Sequence, residues 1–320
     1  MTPKWLHEQM ERLRGAWAAG RFPHALLIHE TPGAGGEWLG LWAAQLVLCT
    51  QPTQAPCGQC PACGHVARRQ HPDLALVVPL EEATQIRIEQ VRELSADLAL
   101  TAHQGGYKVG ILSPADSMNR FAANALLKTL EEPPPRTLLA LVATQPSRLP
   151  ATVLSRCQRV RVQAPTREQA VEWLRATRGQ ADWEAVLAVL GEAPMLAAEA
   201  DPAVVIEAAV EARRDLAQAN VGEGDPVAVA ERWVRSEPKL RLACFENWLT
   251  ELIRDRLLPP GQSSEVRAGA HPGGAGRLSI RDWFELLDAV RELKSSFDTP
   301  INRSMAIETL LRRMAMNRAA

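Results

Sequence analysis

The sequence predicts an α/β domain with a parallel sheet in its first part and a helical region in the remainder. Up to about residue 163, short apolar runs alternate with segments of helical periodicity. This alternation is typical of strands that helices cover on both faces. Beyond residue 165 the periodic segments have helical spacing throughout, so the chain changes class there.

The elements of the α/β part follow in chain order. An apolar stripe predicts a helix over 3–19, and Gly20 is a natural stop. The predicted strands cover residues 25–28, 74–78, 108–112, 138–143 and 159–163. The helices between them cover residues 37–48, 86–100 and 119–132. The last of these ends at Pro133 because proline cannot donate a hydrogen bond within a helix.

A hinge at Pro165 and a capping box formed by Thr166 and Gln169 predict the first domain boundary. We expect three domains, over residues 1–164, 165–202 and 203–320. The third should contain helices over 203–219, 226–235, 238–258, 279–297 and 301–317, with a loop over 259–277 that is rich in glycine and proline. The apolar stripe of the last helix is expected to belong to the core of this chain; it comprises Ile307, Leu310, Leu311 and Met314.

The composition and charge of the chain limit the functions that it can have. The 320 residues include 36 basic and 37 acidic side chains, so no overall field attracts the protein to nucleic acid or membrane. The start lacks a signal-peptide pattern, and no apolar run approaches the roughly 20 residues of a membrane span. We expect a cytoplasmic protein without membrane contact.

The loop after the first strand resembles a phosphate loop that lacks its essential residues. A working loop reads Gly-x-x-x-x-Gly-Lys-Ser/Thr, with backbone amides and lysine on the phosphates and the hydroxyl on magnesium. Aligned on Gly33 and Gly35, this chain has Glu30 at the first glycine, Gly36 at the lysine and Glu37 at the hydroxyl position. A carboxylate about 4 Å from a phosphate charge costs ~1–4 kcal/mol. The loop therefore predicts a nucleotide-binding fold that binds no nucleotide.

A second part of the ATPase apparatus is also missing. Where a nucleotidase ends its strand with Asp-Glu to hold magnesium, this chain has Ser113 and Pro114. Asp116 comes three positions late and is expected to cap the following helix. Both defects together predict that the chain does not hydrolyse ATP.

Four cysteines predict a structural zinc site over residues 49–63. They are Cys49, Cys57, Cys60 and Cys63, and the two-residue spacings let thiolates surround one tetrahedral ion. An iron–sulfur cluster, a redox pair or thiols without metal stay open as alternatives. His65 or His71 would be able to replace one thiol.

Arg156 lies on a loop after the fourth strand, between Ser155 and Cys157. Such an arginine can reach a neighbouring subunit's nucleotide and neutralise charge on the transferred phosphoryl group. From the residues alone, a surface arginine in a salt bridge worth about 0–1 kcal/mol is the simpler interpretation. Nearby basic residues form either a phosphate-binding patch or a solvated edge: Arg148, Arg159, Arg161 and Arg167.

Four segments carry a resemblance to a known family. They are FPHALLI at 22–28, the cysteine module, NALLKTLEEPP at 124–134 and LSRC at 154–157, with weaker support from NRSM at 302–305. On these segments the chain resembles the delta-prime family of bacterial DNA polymerase III clamp-loader subunits, within the AAA+ superfamily. The last two of the four segments are specific to clamp loaders.

The resemblance implies an AAA+ domain with a zinc insertion, a helical lid and a helical collar domain. It implies an ATPase-inactive stator within a DNA polymerase holoenzyme, in a pentamer with delta and gamma/tau subunits that places the sliding clamp on primed DNA. Arg156 then matches the arginine finger that acts in trans, positioned by Ser155 and Cys157. No Lys or Arg lies between Arg178 and Arg213, so the lid also lacks its nucleotide-binding cation.

Two rival functions remain open. One is an active AAA+ ATPase with a divergent phosphate loop, either a gamma-like motor or a helicase loader; Gly36, Glu37, Ser113 and Pro114 argue against it. The other is a zinc-dependent DNA-binding protein, which the near-neutral charge disfavours.

Overall fold

The computed structural model describes residues 2–80, 83–103, 106–257, 279–297 and 301–316. By internal contacts the chain divides into two units, and each is described by itself. The first comprises Met1–Gln180 and Glu192–Ala198, and the second comprises Ala181–Gly191 and Glu199–Ala320. The domain boundaries at residues 164 and 202 stay predictions. The loop predicted over 259–277 lies outside the described residues.

A five-stranded parallel sheet forms the centre of the first unit. Its strands are β1 (Ala25–Glu30), β2 (Leu74–Val77), β3 (Lys108–Leu112), β4 (Thr137–Ala143) and β5 (Gln158–Val162). They are ordered β2-β3-β4-β1-β5, and every neighbouring pair is parallel. The predicted strands are confirmed to within two residues at each end.

Helices surround and follow the strands in the first unit and make up the second unit. They are α1 (His7–Ala18), α2 (Gly36–Leu48), α3 (Pro61–Ala67), α4 (Ile88–Leu98), α5 (Arg120–Glu131), α6 (Ala151–Leu154), α7 (Arg167–Arg178), α8 (Trp183–Leu190), α9 (Pro194–Glu199), α10 (Pro202–Asn220), α11 (Pro226–Arg235), α12 (Pro238–Leu257), α13 (Ile280–Ser296) and α14 (Arg303–Met316). Among the described helices, none is both long and apolar enough to cross a membrane.

Both faces of the sheet are covered, which is why four of its strands are largely apolar; the edge strand β5 has exposed polar side chains. Along β1, Leu26 and Ile28 pack into one core with residues of α1 and α2. Ala25 and Leu27 pack into a second core with residues of α4 and α5. Side chains of β4 alternate between the same two cores. The polar groups that define candidate sites therefore lie at strand ends and on loops.

The second unit has a helical core of its own. Its largest fully buried side chains include Trp233 and Phe245. The Trp233 indole donates a hydrogen bond to the buried Asp215 carboxylate at 2.9 Å, which satisfies both groups. The apolar stripe of α14 is buried in this core, so its assignment to intrachain packing is confirmed. The predicted capping box at Thr166 and Gln169 is also confirmed, at the start of α7.

Candidate functional site

Glu30 contacts the backbone amides of the loop that follows β1. Its Oε2 accepts hydrogen bonds from Gly35 N at 2.9 Å and from Gly36 N at 2.6 Å. Gly36 is the first residue of α2, so the carboxylate lies at the positive end of that helix dipole. A phosphate loop uses these same amides to hold a phosphate. Here the acceptor is a carboxylate of the chain itself.

The surroundings of Glu30 leave no room for a side chain at the lysine position. A Cβ on Gly36 would lie 2.8 Å from Glu30 Cδ and 2.8 Å from Val142 Cγ1. Burial raises the pKa of Glu30, although hydrogen bonds from Gly36 and Gly35 act in the opposite direction. The nearby carboxylates of Glu37 and Asp116 raise this pKa further. The loop therefore presents acidic groups where a working loop presents a cation.

Apolar side chains pack directly on the same loop. A Cβ on Gly33 would lie 2.6 Å from Ala193 Cβ, and a Cβ on Gly35 would lie 2.8 Å from Met195 Cε and 3.2 Å from Leu6 Cδ1. Both glycines also have positive φ angles, of 72° and 109°, which other residues rarely adopt. Met195 N donates a hydrogen bond to Gly33 O at 3.1 Å. The crevice beside the loop is thus occupied by residues of its own unit.

Glu37, predicted as the anion at the hydroxyl position, forms an ion pair. Its Oε1 lies 2.6 Å from Arg69 Nη2, in the segment after α3. Glu37 also lies in the first turn of α2, where an acidic side chain interacts favourably with the helix dipole. Both contacts suit a structural role for this carboxylate.

The end of β3 carries no acidic pair. Ser113 follows the strand, and its backbone N–H donates to Val77 O of β2 at 3.0 Å, which continues the ladder by one bond. Pro114 comes next and has no N–H to donate. The predicted degenerate Asp-Glu position therefore provides backbone pairing in place of carboxylate ligands.

Asp116 does not cap α5, so that expectation was wrong. The N-cap is Asn119, whose side chain accepts from Ala122 N at 2.9 Å. The buried Asp116 carboxylate accepts instead from Gln145 N at 2.7 Å, just beyond β4. Asn119 directly precedes the first turn of α5, whereas Asp116 lies next to the Gln145 amide beyond the end of β4. Asp116 therefore joins the ends of β3 and β4.

The four clustered cysteines lie together in space. All four Sγ atoms lie within 4.8 Å of one another, and Cys49 Sγ is 3.9 Å from Cys60 Sγ. Sulfur atoms around one tetrahedral zinc at 2.3 Å are about 3.8 Å apart, so this donor set fits the ion. Among the described residues the cluster consists of cysteines and includes neither His65 nor His71.

Backbone hydrogen bonds lower the pKa values of the thiols in this cluster, and burial raises them. A hydrogen bond from the Gln59 backbone lowers the pKa of Cys57. Burial opposes ionisation of Cys60, but hydrogen bonds from Thr50 and Cys63 lower its pKa to about 5. Burial raises the pKa of Cys63 well above its usual value. Four sulfur atoms this close cannot all be thiolates without a cation between them, and a metal dication removes that conflict.

Arg156 lies exposed just after α6. Its Nη1 donates to Thr152 O at 3.0 Å and to Ser155 Oγ at 3.2 Å, and its Nη2 lies 2.8 Å from Glu131 Oε1. The following residue, Cys157, is buried, and burial raises the pKa of its thiol to about 11. That thiol packs into the same core as Val153 of α6 and lacks the reactivity of a thiolate.

The predicted groups lie in four places of the first unit: the loop after β1, the cysteine cluster beside α3, the end of β3 and the segment after α6. Two residues in these places were missed from the sequence. The sequence identified Glu30 only as a replacement for the first glycine. Its position five residues before Gly35 could have indicated that its carboxylate accepts from the loop amides. Glu131 lies in the NALLKTLEEPP segment, but nothing in the sequence pairs it with Arg156.

Comparisons with known proteins agree on one family. A family profile described as "DNA polymerase III, delta subunit" matches residues 5–166. DNA polymerase III subunit delta-prime of Pseudomonas aeruginosa is 34% identical over 304 residues, which cover 90% of each chain. The delta-prime subunit of Escherichia coli K12 is 32% identical over 323 residues, covering 97% of this chain and 94% of that one.

The fold is also found in a solved structure. A DNA polymerase III gamma subunit-related protein from Thermotoga maritima aligns with a TM-score of 0.53 and 16% identity. The alignment covers 97% of this chain and 99% of that one. The likeness supports the α/β core with its helical C-terminal region.

Proposed function

We infer the function of this chain from the family to which it belongs, the delta-prime subunits of DNA polymerase III. We propose that it is a subunit of the clamp loader that neither binds nor hydrolyses ATP. The observation that carries this proposal is the Glu30 carboxylate on the amides of Gly35 and Gly36. A phosphate would have to displace it and would then lie near further carboxylates, each interaction costing about 1–4 kcal/mol at 4 Å.

The packing beside the loop supports a stator role. Met195 and Ala193 contact the loop, so opening the crevice for a nucleotide would break intrachain contacts. A loop that is occupied by its own chain has no nucleotide-dependent change of state. The subunit would then serve as a fixed element against which ATP-binding neighbours move.

The chemical contribution of this subunit lies at Arg156. We propose that Arg156 is an arginine finger for the ATP site of a neighbouring gamma/tau subunit, with Ser155 and Cys157 positioning it. The exposed guanidinium and the buried thiol beside it support that assignment. The wider assembly would include delta, the sliding clamp and primed DNA, in the cytoplasm.

The cysteine cluster would hold a structural zinc with Cys49, Cys57, Cys60 and Cys63 as its four ligands. The ion would join the C-terminal end of α2, which Cys49 caps, to α3, which Cys60 caps at its start. Four thiolates leave no open position for a water molecule, so the site would have no catalytic role.

Equilibrium binding of Mg-ATP to the isolated full-length chain tests the inactive phosphate loop. We expect a dissociation constant weaker than about 1 mM, because the amides of Gly35 and Gly36, which form the cradle of this loop, already have an acceptor. An ATP-binding subunit of the same loader, measured in parallel, is the positive control. Micromolar affinity for this chain would contradict the proposal and favour the active-ATPase alternative.

The Glu30→Ala variant tests whether the carboxylate occupies the cradle. Removing it leaves two amides without their acceptor, at a cost of roughly 1–3 kcal/mol for each that stays buried. Inorganic phosphate should then raise the Tm of Glu30→Ala by mass action and leave that of the unmodified chain unchanged. Glu37→Ala removes a neighbouring charge and is the matched control. An equal phosphate response in all three proteins would show that the cradle plays no part.

A further inference from the structure

The contact between Glu131 and Arg156 joins two structural elements. Nη2 of Arg156 lies 2.8 Å from Oε1 of Glu131, with 36% and 50% of the respective side chains exposed. Of the carboxylates in the described part of the chain, only that of Glu131 lies within ion-pair distance of this guanidinium. Its helix, α5, and the short α6 that precedes Arg156 both pack into one core of the first unit.

The position of Glu131 does not favour its own helix. Glu131 is the last residue of α5, and Lys128 is the basic residue of that last turn. The C-terminal end of a helix carries partial negative charge, so an acidic side chain there is unfavourable. A guanidinium opposite the carboxylate offsets this repulsion. Helix stability therefore does not account for a glutamate at this place, whereas the contact with Arg156 does.

The backbones that carry the two side chains are held in place. Leu126 and Leu130 of α5 and Val153 of α6 are each at most 2% exposed and belong to the same core. Nη1 of Arg156 is directed by Thr152 O, a carbonyl of α6, and by Ser155 Oγ. Glu131 adds a contact on Nη2 and so fixes the plane of the guanidinium.

The same contacts leave a donor available for a ligand. A guanidinium has five N–H groups, and the two on Nη1 donate to Thr152 and Ser155, while Glu131 forms an ion pair with Nη2. The Nε hydrogen takes part in none of these contacts and remains for a phosphoryl oxygen. A side chain held in this way loses less conformational freedom on binding than a free arginine does.

We infer that Glu131 is a positioning residue that orients Arg156 toward the ATP of a neighbouring subunit. The inference rests on the proposed finger role of Arg156. Because Glu131 acts through the guanidinium and does not touch nucleotide, its loss should change turnover of the neighbouring site and leave ATP affinity unchanged.

The test uses the full chain in a reconstituted clamp loader with clamp and primed DNA. In Glu131→Gln we expect kcat for ATP hydrolysis to fall about two- to fivefold, the range of an exposed ion pair, with KM for ATP unchanged. Raising the salt from about 0.05 to 0.5 M should narrow the difference, because salt screens exposed charges. Glu132→Gln removes the adjacent exposed charge and should leave kcat unchanged.

A double-mutant cycle separates this inference from the function on which it rests. In an Arg156→Ala background, Glu131→Gln should cause no further loss. If Arg156→Ala slows hydrolysis while Glu131→Gln matches the unmodified chain, exceeds it or adds its effect independently, the positioning role is refuted and the finger stands. If Arg156→Ala has no effect, the finger role fails and the positioning role fails with it.

Discussion

In a reconstituted clamp loader, Arg156→Ala is expected to reduce DNA-stimulated ATP hydrolysis at the neighbouring site by about tenfold or more and to slow clamp loading. An arginine finger neutralises charge that develops on the transferred phosphoryl group, and its loss costs ~10³–10⁵ in turnover in well-studied nucleotidases. Assembly should be unaffected, because the substitution removes one exposed ion pair worth about 0–1 kcal/mol. Steady-state hydrolysis, clamp loading and the composition of the purified complex measure the three outcomes.

Two further variants separate a finger from a general basic surface. Arg148→Ala removes an exposed arginine from the turn that precedes α6 and should leave hydrolysis unchanged. Arg156→Lys keeps the charge but loses the planar fork of donors, so it should not restore turnover. If Arg148→Ala slowed hydrolysis as much as Arg156→Ala, the effect would belong to a basic patch and the finger role would be contradicted.

Most of the fold followed from patterns that act over short distances. The central strands of the sheet are apolar runs bounded by polar turns, and α5 ends where Pro133 makes continuation impossible. The order of the strands across the sheet was not predicted, because it depends on contacts between residues far apart in the chain. The short α3 within the cysteine module was also missed, since its seven residues include Pro61 and Gly64, which disfavour a helix.

The candidate sites were predictable in their residue types and less so in their contacts. The loss of the phosphate-loop lysine could be read directly from Gly36. That Glu30 turns back onto Gly35 and Gly36 depends on a side-chain rotamer, which the pattern of residue types does not specify. Asp116 was misassigned for the same reason, because the amide of Gln145 that it accepts from lies 29 residues away in the chain.

The sequence and the structure together change the interpretation of the phosphate loop. From the sequence, the loop lacks a cation and gains an anion. In the structure, a second carboxylate, that of Glu30, takes the place of the ligand at the positive end of α2, whereas Glu37 pairs with Arg69. The loop is therefore a satisfied structural element, which explains how its glycine turn is stable in a subunit that we propose binds no nucleotide.

Removing the metal from the cysteine cluster is expected to have the second large effect. The purified chain should contain about one zinc per molecule, and Cys60→Ser should lose it, because Cys60 lies within 4.8 Å of every other thiol of the cluster. Metal binding to such sites contributes ~10–16 kcal/mol in isolated zinc-finger peptides, so its loss should unfold the module and lower the Tm. Elemental analysis, thermal unfolding with and without chelator, and limited proteolysis of residues 49–71 would measure the loss of metal and of stability.

The Cys244→Ser variant is the control, because Cys244 is a buried cysteine of the second unit, and this variant should retain the zinc. Iron with inorganic sulfide would support the cluster alternative, and a folded chain without any metal would refute the site.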